Sequence, residues 1–182
     1  MRKRLTKDQI LTIPNAMSLF RLLLIPFIVM HYIRGERYPA VALLLLSAAT
    51  DICDGMVARK LNMVSDLGKV LDPLADKLTH AALLVCLMAS YSGIIYIFVL
   101  LVIKECTSLI TGGLVLRKKD TVHSASWHGK LCTVVFETTM TVLMLFSPKE
   151  SVANVLLYIC AGVMVFSCAM YTVSRVRIIL DK

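Results

Sequence analysis

Four aspartates, Asp51, Asp54, Asp72 and Asp76, fall in one short stretch of a chain that is otherwise mostly hydrocarbon. The stretch reads Asp51-Ile-Cys-Asp54-Gly55-Met-Val-Ala58-Arg59, then eight residues, then Gly68-Lys-Val-Leu-Asp72-Pro-Leu-Ala-Asp76. An unpaired carboxylate in an apolar helix at a membrane edge costs about 2.5–3.5 kcal/mol, so four together call for positive charge. Oxygen ligands at the recurring positions, with no histidine and Cys53 the single soft donor between them, select Mg²⁺, Mn²⁺ or Ca²⁺ over zinc or copper. Four carboxylates exceed the needs of one ion, and two ions sharing them would suit phosphoryl or phosphodiester displacement. Gly55, Ala58 and Gly68 leave room for a bulky substrate to approach, and Arg59 offers a fixed charge to a phosphate. A competing reading pairs the aspartates with Arg59, Lys60, Lys69 and Lys77 as a solvated charge cluster. That accounts for the mixture of charges, but not for the small residues between them.

These carboxylates need helices to hold them. Asp51 and Asp54 are three apart, so a helix continuing through Arg59 puts both on one face. Asp72 and Asp76 are four apart and share a face of the next helix, with Pro73 expected in its first turn. At 58% hydrophobic residues and a mean hydropathy of +0.76, the 182-residue chain lies far outside the soluble range. The expected fold is all-α: a single polytopic membrane domain over residues 1–182. Six candidate spans, some short for the roughly 20 residues a crossing needs, cover about 16–32, 40–57, 73–90, 94–116, 131–146 and 152–173.

The N-terminal residues 1–13 mix Leu5, Ile10, Leu11 and Ile13 with basic groups, which suits a short helix on the membrane surface. A plain charged tail is the alternative. Polar residues from Thr6 to Gln9 stand where a signal peptide would have its apolar core, so no cleaved signal is expected. Lysine and arginine concentrate in the N-terminal tail, the 58–72 and 117–130 loops and the C-terminal tail. With six spans these all lie on one side, so both termini and the aspartates are expected at the cytoplasmic face of the plasma or inner membrane. The net charge of +8 then reflects topology and anionic lipid contact, not nucleic-acid binding, since no aromatic-lined groove presents the basic residues. The six cysteines, at 53, 86, 106, 132, 160 and 168, form no Cys-x-x-Cys pair and read as small hydrophobes.

The frame Asp-x2-Asp-Gly-x2-Ala-Arg-x8-Gly-x3-Asp-x3-Asp resembles the signature of the CDP-alcohol phosphotransferase family, with all eight fixed residues present. The resemblance extends to Ile13-Pro-Asn15-Ala-Met-Ser18-Leu-Phe-Arg21 and to Leu71-Asp-Pro-Leu-Ala-Asp-Lys77, and so to essentially the whole chain. It implies transfer of a phosphatidyl group from CDP-diacylglycerol to an alcohol with release of CMP. It further implies two bound ions, Mg²⁺ or Mn²⁺, held by Asp51, Asp54, Asp72 and Asp76, with Asp76 also the general base. Asn15, Ser18, Gly55, Ala58, Arg59, Ser65 and Gly68 would contact the CDP-lipid, and the protein would be a homodimer. Without that resemblance, a non-catalytic membrane cation carrier is the rival class.

The acceptor depends on the later spans. Lys104, Glu105 and Glu137 are ionisable groups inside spans, which makes them functional by default, although a Lys104–Glu137 ion pair could simply join helices. Lys104, Lys130 and Arg21 are the candidate ligands of an acceptor phosphate, Trp127 a membrane-interface anchor, and His123 and His128 solvated loop residues. Phosphatidylglycerophosphate synthases of the family usually carry an Arg-Glu pair, an arginine seven residues on, and Gly-Lys-x-Lys-Thr. The corresponding residues here are Lys104-Glu105, Gly112 and Gly129-Lys130-Leu-Cys132-Thr133. Glycerol 3-phosphate is the expected acceptor. Phosphatidylglycerol is the alternative, because the similar cardiolipin synthases lack the same arginine.

Overall fold

The computed structural model describes residues 12–61, 68–118 and 127–180. They form six helices and, among the described residues, no strand: α1 (Ile13–Ile33), α2 (Arg37–Leu61), α3 (Gly68–Met88), α4 (Ile94–Lys118), α5 (Trp127–Phe146) and α6 (Glu150–Leu180). By contact the chain divides into two compact units, one ending at Cys86 and the other beginning at Leu87. The surface helix expected over residues 1–13 falls outside the described residues as far as residue 11. Its last residue, Ile13, instead begins α1.

In the first unit, Thr12 caps α1 with its side-chain oxygen, which accepts the Asn15 N–H at 3.4 Å, and Pro14 supplies a preset φ in the first turn. The helix ends where Arg34 N–H donates to Met30 O and Gly35 adopts φ +79°, a left-handed conformation that glycine takes without steric cost. This tight turn folds α2 back against α1. Leu24, Ile28, Ala40, Val41 and Leu44 are buried. Leu19, Leu23, Phe27, Leu45 and Ile52 point outward, an arrangement suited to lipid rather than water.

In the second unit, α6 packs against both α4 and α5. Its buried residues Ala153, Leu157, Cys160, Met164 and Ser167 recur at alternating steps of four and three, the seam of a coiled-coil-like contact. The stripe on α5 runs through Cys132, Phe136, Met140, Leu143 and Met144. Near the opposite end of the unit, Tyr91 donates its hydroxyl to Pro148 O at 3.0 Å and Ser92 donates to Glu150 at 3.2 Å.

Among the described residues, four helices are long and apolar enough to cross a membrane: Pro14–Ile33, Ile94–Gly112, Trp127–Phe146 and Glu150–Val176. The chain is a membrane protein. Of the six expected spans, the two in α2 and α3 are the ones that carry the four aspartates, and that charge separates them from the others. A second difference concerns Pro73. Because α3 starts at Gly68, the proline lies inside the helix rather than in its first turn. It removes the hydrogen bond that would run to the carbonyl of residue 69.

Candidate active site

The helix α2 does run through Arg59, so Asp51 and Asp54 project from one face, while Asp72 and Asp76 project from α3. Oxygens of Asp51, Asp54 and Asp72 lie within 4.8 Å of one another. Asp54 is buried, whereas the side chains of Asp51, Asp72 and Asp76 are about half exposed, at 42%, 48% and 50%. The arrangement is closed on the protein side and open on the other.

The cation at the centre of this cluster is Arg21 of α1, which is 3% exposed. Its Nη1 pairs with Asp51 and, at 2.9 Å, with Asp76; its Nη2 pairs with Asp72 and, at 3.1 Å, with Asp54. Each nitrogen thus joins one carboxylate from α2 to one from α3. Arg21 Nε is buried without a hydrogen-bond partner. Four carboxylates around one guanidinium leave a formal charge of −3 if all are ionised, so the site is built to take up more positive charge. Clustered hard oxygen donors with three half-exposed members fit a hard divalent cation.

Arg21, expected as an acceptor ligand, pairs in this structure with the four aspartates. Asn15 and Ser18, expected to contact the CDP-lipid, are both buried on α1, and Ser18 donates its hydroxyl to Pro14 O at 3.1 Å. Gly68 is the first residue of α3. Gly55, Ala58 and Arg59 follow Asp54 on α2, and Ser65 lies outside the described residues.

The other two acceptor candidates meet in the second unit. Lys104 and Lys130 line a cavity of about 270 Å³, together with Glu105, Thr107, Ser108 and Tyr171 among others. Lys104 pairs at 3.3 Å with Glu105, its sequence neighbour, so both reach the same cavity despite the 100° between successive helical residues. His128 is not the solvated loop histidine expected from the sequence. It is buried in the first turn of α5, with its ring edge-on to Tyr171 at 4.6 Å. Trp127 beside it is exposed, as an interfacial anchor would be, and His123 lies outside the described residues.

Sequence reasoning missed Tyr171 and Arg175. Arg175 Nη1 donates to Ser108 O at 2.6 Å, Ser108 Oγ at 3.2 Å and Thr111 Oγ1 at 2.8 Å, and its guanidinium carbon lies 4.9 Å from the centre of the Tyr171 ring. The signal was present in Tyr171, four residues after Ser167 and so next in the α6 seam, with Arg175 one helical turn further on. In the sequence Arg175 belongs to a basic C-terminal segment, which points to topology rather than to a site. Arg175 passes close to Gly112: a Cβ there would stand 3.6 Å from Arg175 Nη1, an ordinary van der Waals contact.

Gly129 permits another close approach, because a Cβ on it would collide with the Tyr171 hydroxyl. Gly129→Ala should push the ring off His128 and Arg175 and destabilise the protein by about 1 kcal/mol. That is the low end for overpacking, because the end of a side chain yields more easily than backbone. Thermal melts of the two proteins in one detergent measure this, and an unchanged midpoint with an unchanged acceptor KM would refute it.

The fold and these two sites define an α-helical membrane protein with a carboxylate cluster suited to divalent metal. Residues 11–170 match the family model described as CDP-alcohol phosphatidyltransferase, and the chain belongs to that family. It is 36% identical over 126 residues to the CDP-diacylglycerol--glycerol-3-phosphate 3-phosphatidyltransferase of Aquifex aeolicus, covering 68% of this chain and 70% of that protein. It is also 30% identical over 157 residues to the cardiolipin synthase (CMP-forming) of Streptomyces coelicolor, covering 83% and 73%. Family membership makes the chain a phospholipid-synthesising transferase of metal-dependent type and sets aside the non-catalytic carrier reading.

Proposed function

We propose that this enzyme transfers the phosphatidyl group of CDP-diacylglycerol to glycerol 3-phosphate, releasing CMP. The observation that carries the chemistry is the focusing of four carboxylates from α2 and α3 on one cationic point. Asp51, Asp54, Asp72 and Asp76 would hold two ions, Mg²⁺ or Mn²⁺. When bound, these would neutralise the pyrophosphate of the donor. Arg59 and the small residues Gly55, Ala58 and Gly68 leave space and charge for the CDP moiety, as would Asn15, Ser18 and Ser65. Asp76 takes the proton of the acceptor hydroxyl as its oxygen bonds to the lipid-bearing phosphorus. The bond from that phosphorus to the bridging oxygen breaks, and CMP leaves with the electron pair.

Lys104 and Lys130 hold the acceptor's phosphate. The arginine that related synthases carry at the position of Gly112 has no counterpart in this sequence. Arg175 reaches from α6 to the neighbourhood of Gly112, and its charge beside the cavity residue Ser108 supports an anionic acceptor. Phosphatidylglycerol is the second reading, favoured by the long match to a cardiolipin synthase. The chain would form one domain with six spans, α2 and α3 included, both termini and the aspartates facing the cytoplasm of a plasma or inner membrane, and it would act as a homodimer.

Purified protein given CDP-diacylglycerol, Mg²⁺ or Mn²⁺, and glycerol 3-phosphate, phosphatidylglycerol, inositol or serine in separate reactions tests this. Metal-dependent CMP release with phosphatidylglycerophosphate as the product by mass spectrometry is expected. Cardiolipin as the sole product would exchange the acceptor for the alternative, and no CMP with any alcohol would sink the proposal.

A further inference from the structure

Among the described residues lining the cavity of α4, α5 and α6, Tyr171 is the one aromatic side chain, and it is held from three sides. His128 meets its ring edge-on at 4.6 Å, the Arg175 guanidinium lies 4.9 Å over it, and its hydroxyl rests against the bare Cα of Gly129. A T-shaped contact and a cation–π contact on one ring leave it little rotamer freedom. Among the described residues the hydroxyl is therefore placed by packing and not by hydrogen bonds. A phenol can donate one hydrogen bond and accept another, and the rest of the lining divides the work differently. Lys104 and Lys130 offer charge for a phosphate, whereas Tyr171 offers a fixed neutral donor and acceptor matched to an alcohol. The cavity, about 270 Å³, is near the lower limit of ligand pockets, which suits a small phosphorylated polyol.

We propose that Tyr171 is a specificity-determining residue that reads a second, non-reacting hydroxyl of the acceptor, so that the enzyme selects a polyol phosphate over a simple hydroxyalkyl phosphate. This rests on the reading of the cavity as the acceptor pocket. A site built to hydrogen-bond a substrate hydroxyl strongly rejects the analogue that lacks it, because its own polar group is then left unmatched.

The test compares glycerol 3-phosphate with 3-hydroxypropyl phosphate, which keeps the phosphate and a reacting hydroxyl but lacks the middle one. CMP release by the full-length wild-type protein should favour glycerol 3-phosphate in kcat/KM by at least about 10-fold, the loss of a hydrogen bond of ordinary strength. Tyr171→Phe keeps the ring and both its packing contacts. It should raise KM for glycerol 3-phosphate and erase most of that preference, while leaving KM for CDP-diacylglycerol unchanged. A merely structural tyrosine would lower turnover with both acceptors alike. A preference retained in Tyr171→Phe, with Lys104→Ala and Lys130→Ala still raising acceptor KM, would overturn the role of Tyr171 and leave the pocket standing. Acceptor KM unchanged in all three variants would remove the pocket reading itself, and with it this inference.

Discussion

Asp76→Asn is expected to cut CMP release by about 10²- to 10⁴-fold while largely sparing the binding of CDP-diacylglycerol, the range a positioned general base contributes. The substitution is nearly isosteric, and an amide oxygen can still accept the hydrogen bond that Arg21 Nη1 gives Asp76 at 2.9 Å. The helix and the cluster should therefore persist. What disappears is a carboxylate able to take a proton, on a side chain that is half exposed and so reachable by a substrate. Asp54 offers a contrast, since it is buried and serves the cluster from behind. Asp54→Asn should weaken metal and donor binding as well as turnover. Single-turnover CMP release and equilibrium binding of the CDP-lipid, run on the same preparations, separate the two. Near-normal turnover in Asp76→Asn would mean that the base lies elsewhere.

The second large effect is expected from Arg21→Met. In metal-free protein this change leaves four carboxylates from two helices facing one another without their shared guanidinium. Removing one partner of a buried ion pair costs about 3–5 kcal/mol, and the half-exposed state of three of these aspartates lowers that to about 2–4 kcal/mol through solvent screening. The melting temperature of Arg21→Met in EDTA should drop by several degrees relative to wild type. Added Mn²⁺ should then stabilise the variant more than it stabilises wild type, because a ligand that binds the folded state raises stability by mass action. Differential scanning fluorimetry with and without Mn²⁺ reads this directly. Equal melting temperatures for the two proteins in EDTA would show that Arg21 does not hold the cluster together.

How far the site was legible from the sequence depends on which interactions are local. The spacings Asp51/Asp54 and Asp72/Asp76 put two carboxylates on each of two helices by helical period alone, and the structure has α2 continuous through Arg59 as that spacing requires. The hydropathy pattern likewise places helices across each expected span, with boundaries shifted by a few residues. Where local rules compete with packing, packing prevails. Pro73 suggested a helix start, yet α3 begins a turn earlier. His128 stands in a charged segment that reads as a loop, yet it lies in the first turn of α5 and is buried against Tyr171.

The amino-acid sequence determined the reaction class, because the carboxylates, the small residues between them and the apolar helices that carry them are all set by residue type and by spacing within a helix. Tertiary structure alone decided which cation sits among the carboxylates and which residues complete the cavity. Arg21 is 55 residues from Asp76, and Arg175 is 67 from Ser108, so neither contact follows any helical repeat. Such pairs form because packing brings two faces together and a buried charge must find whatever partner that packing supplies. No rule of spacing along the chain carries that information.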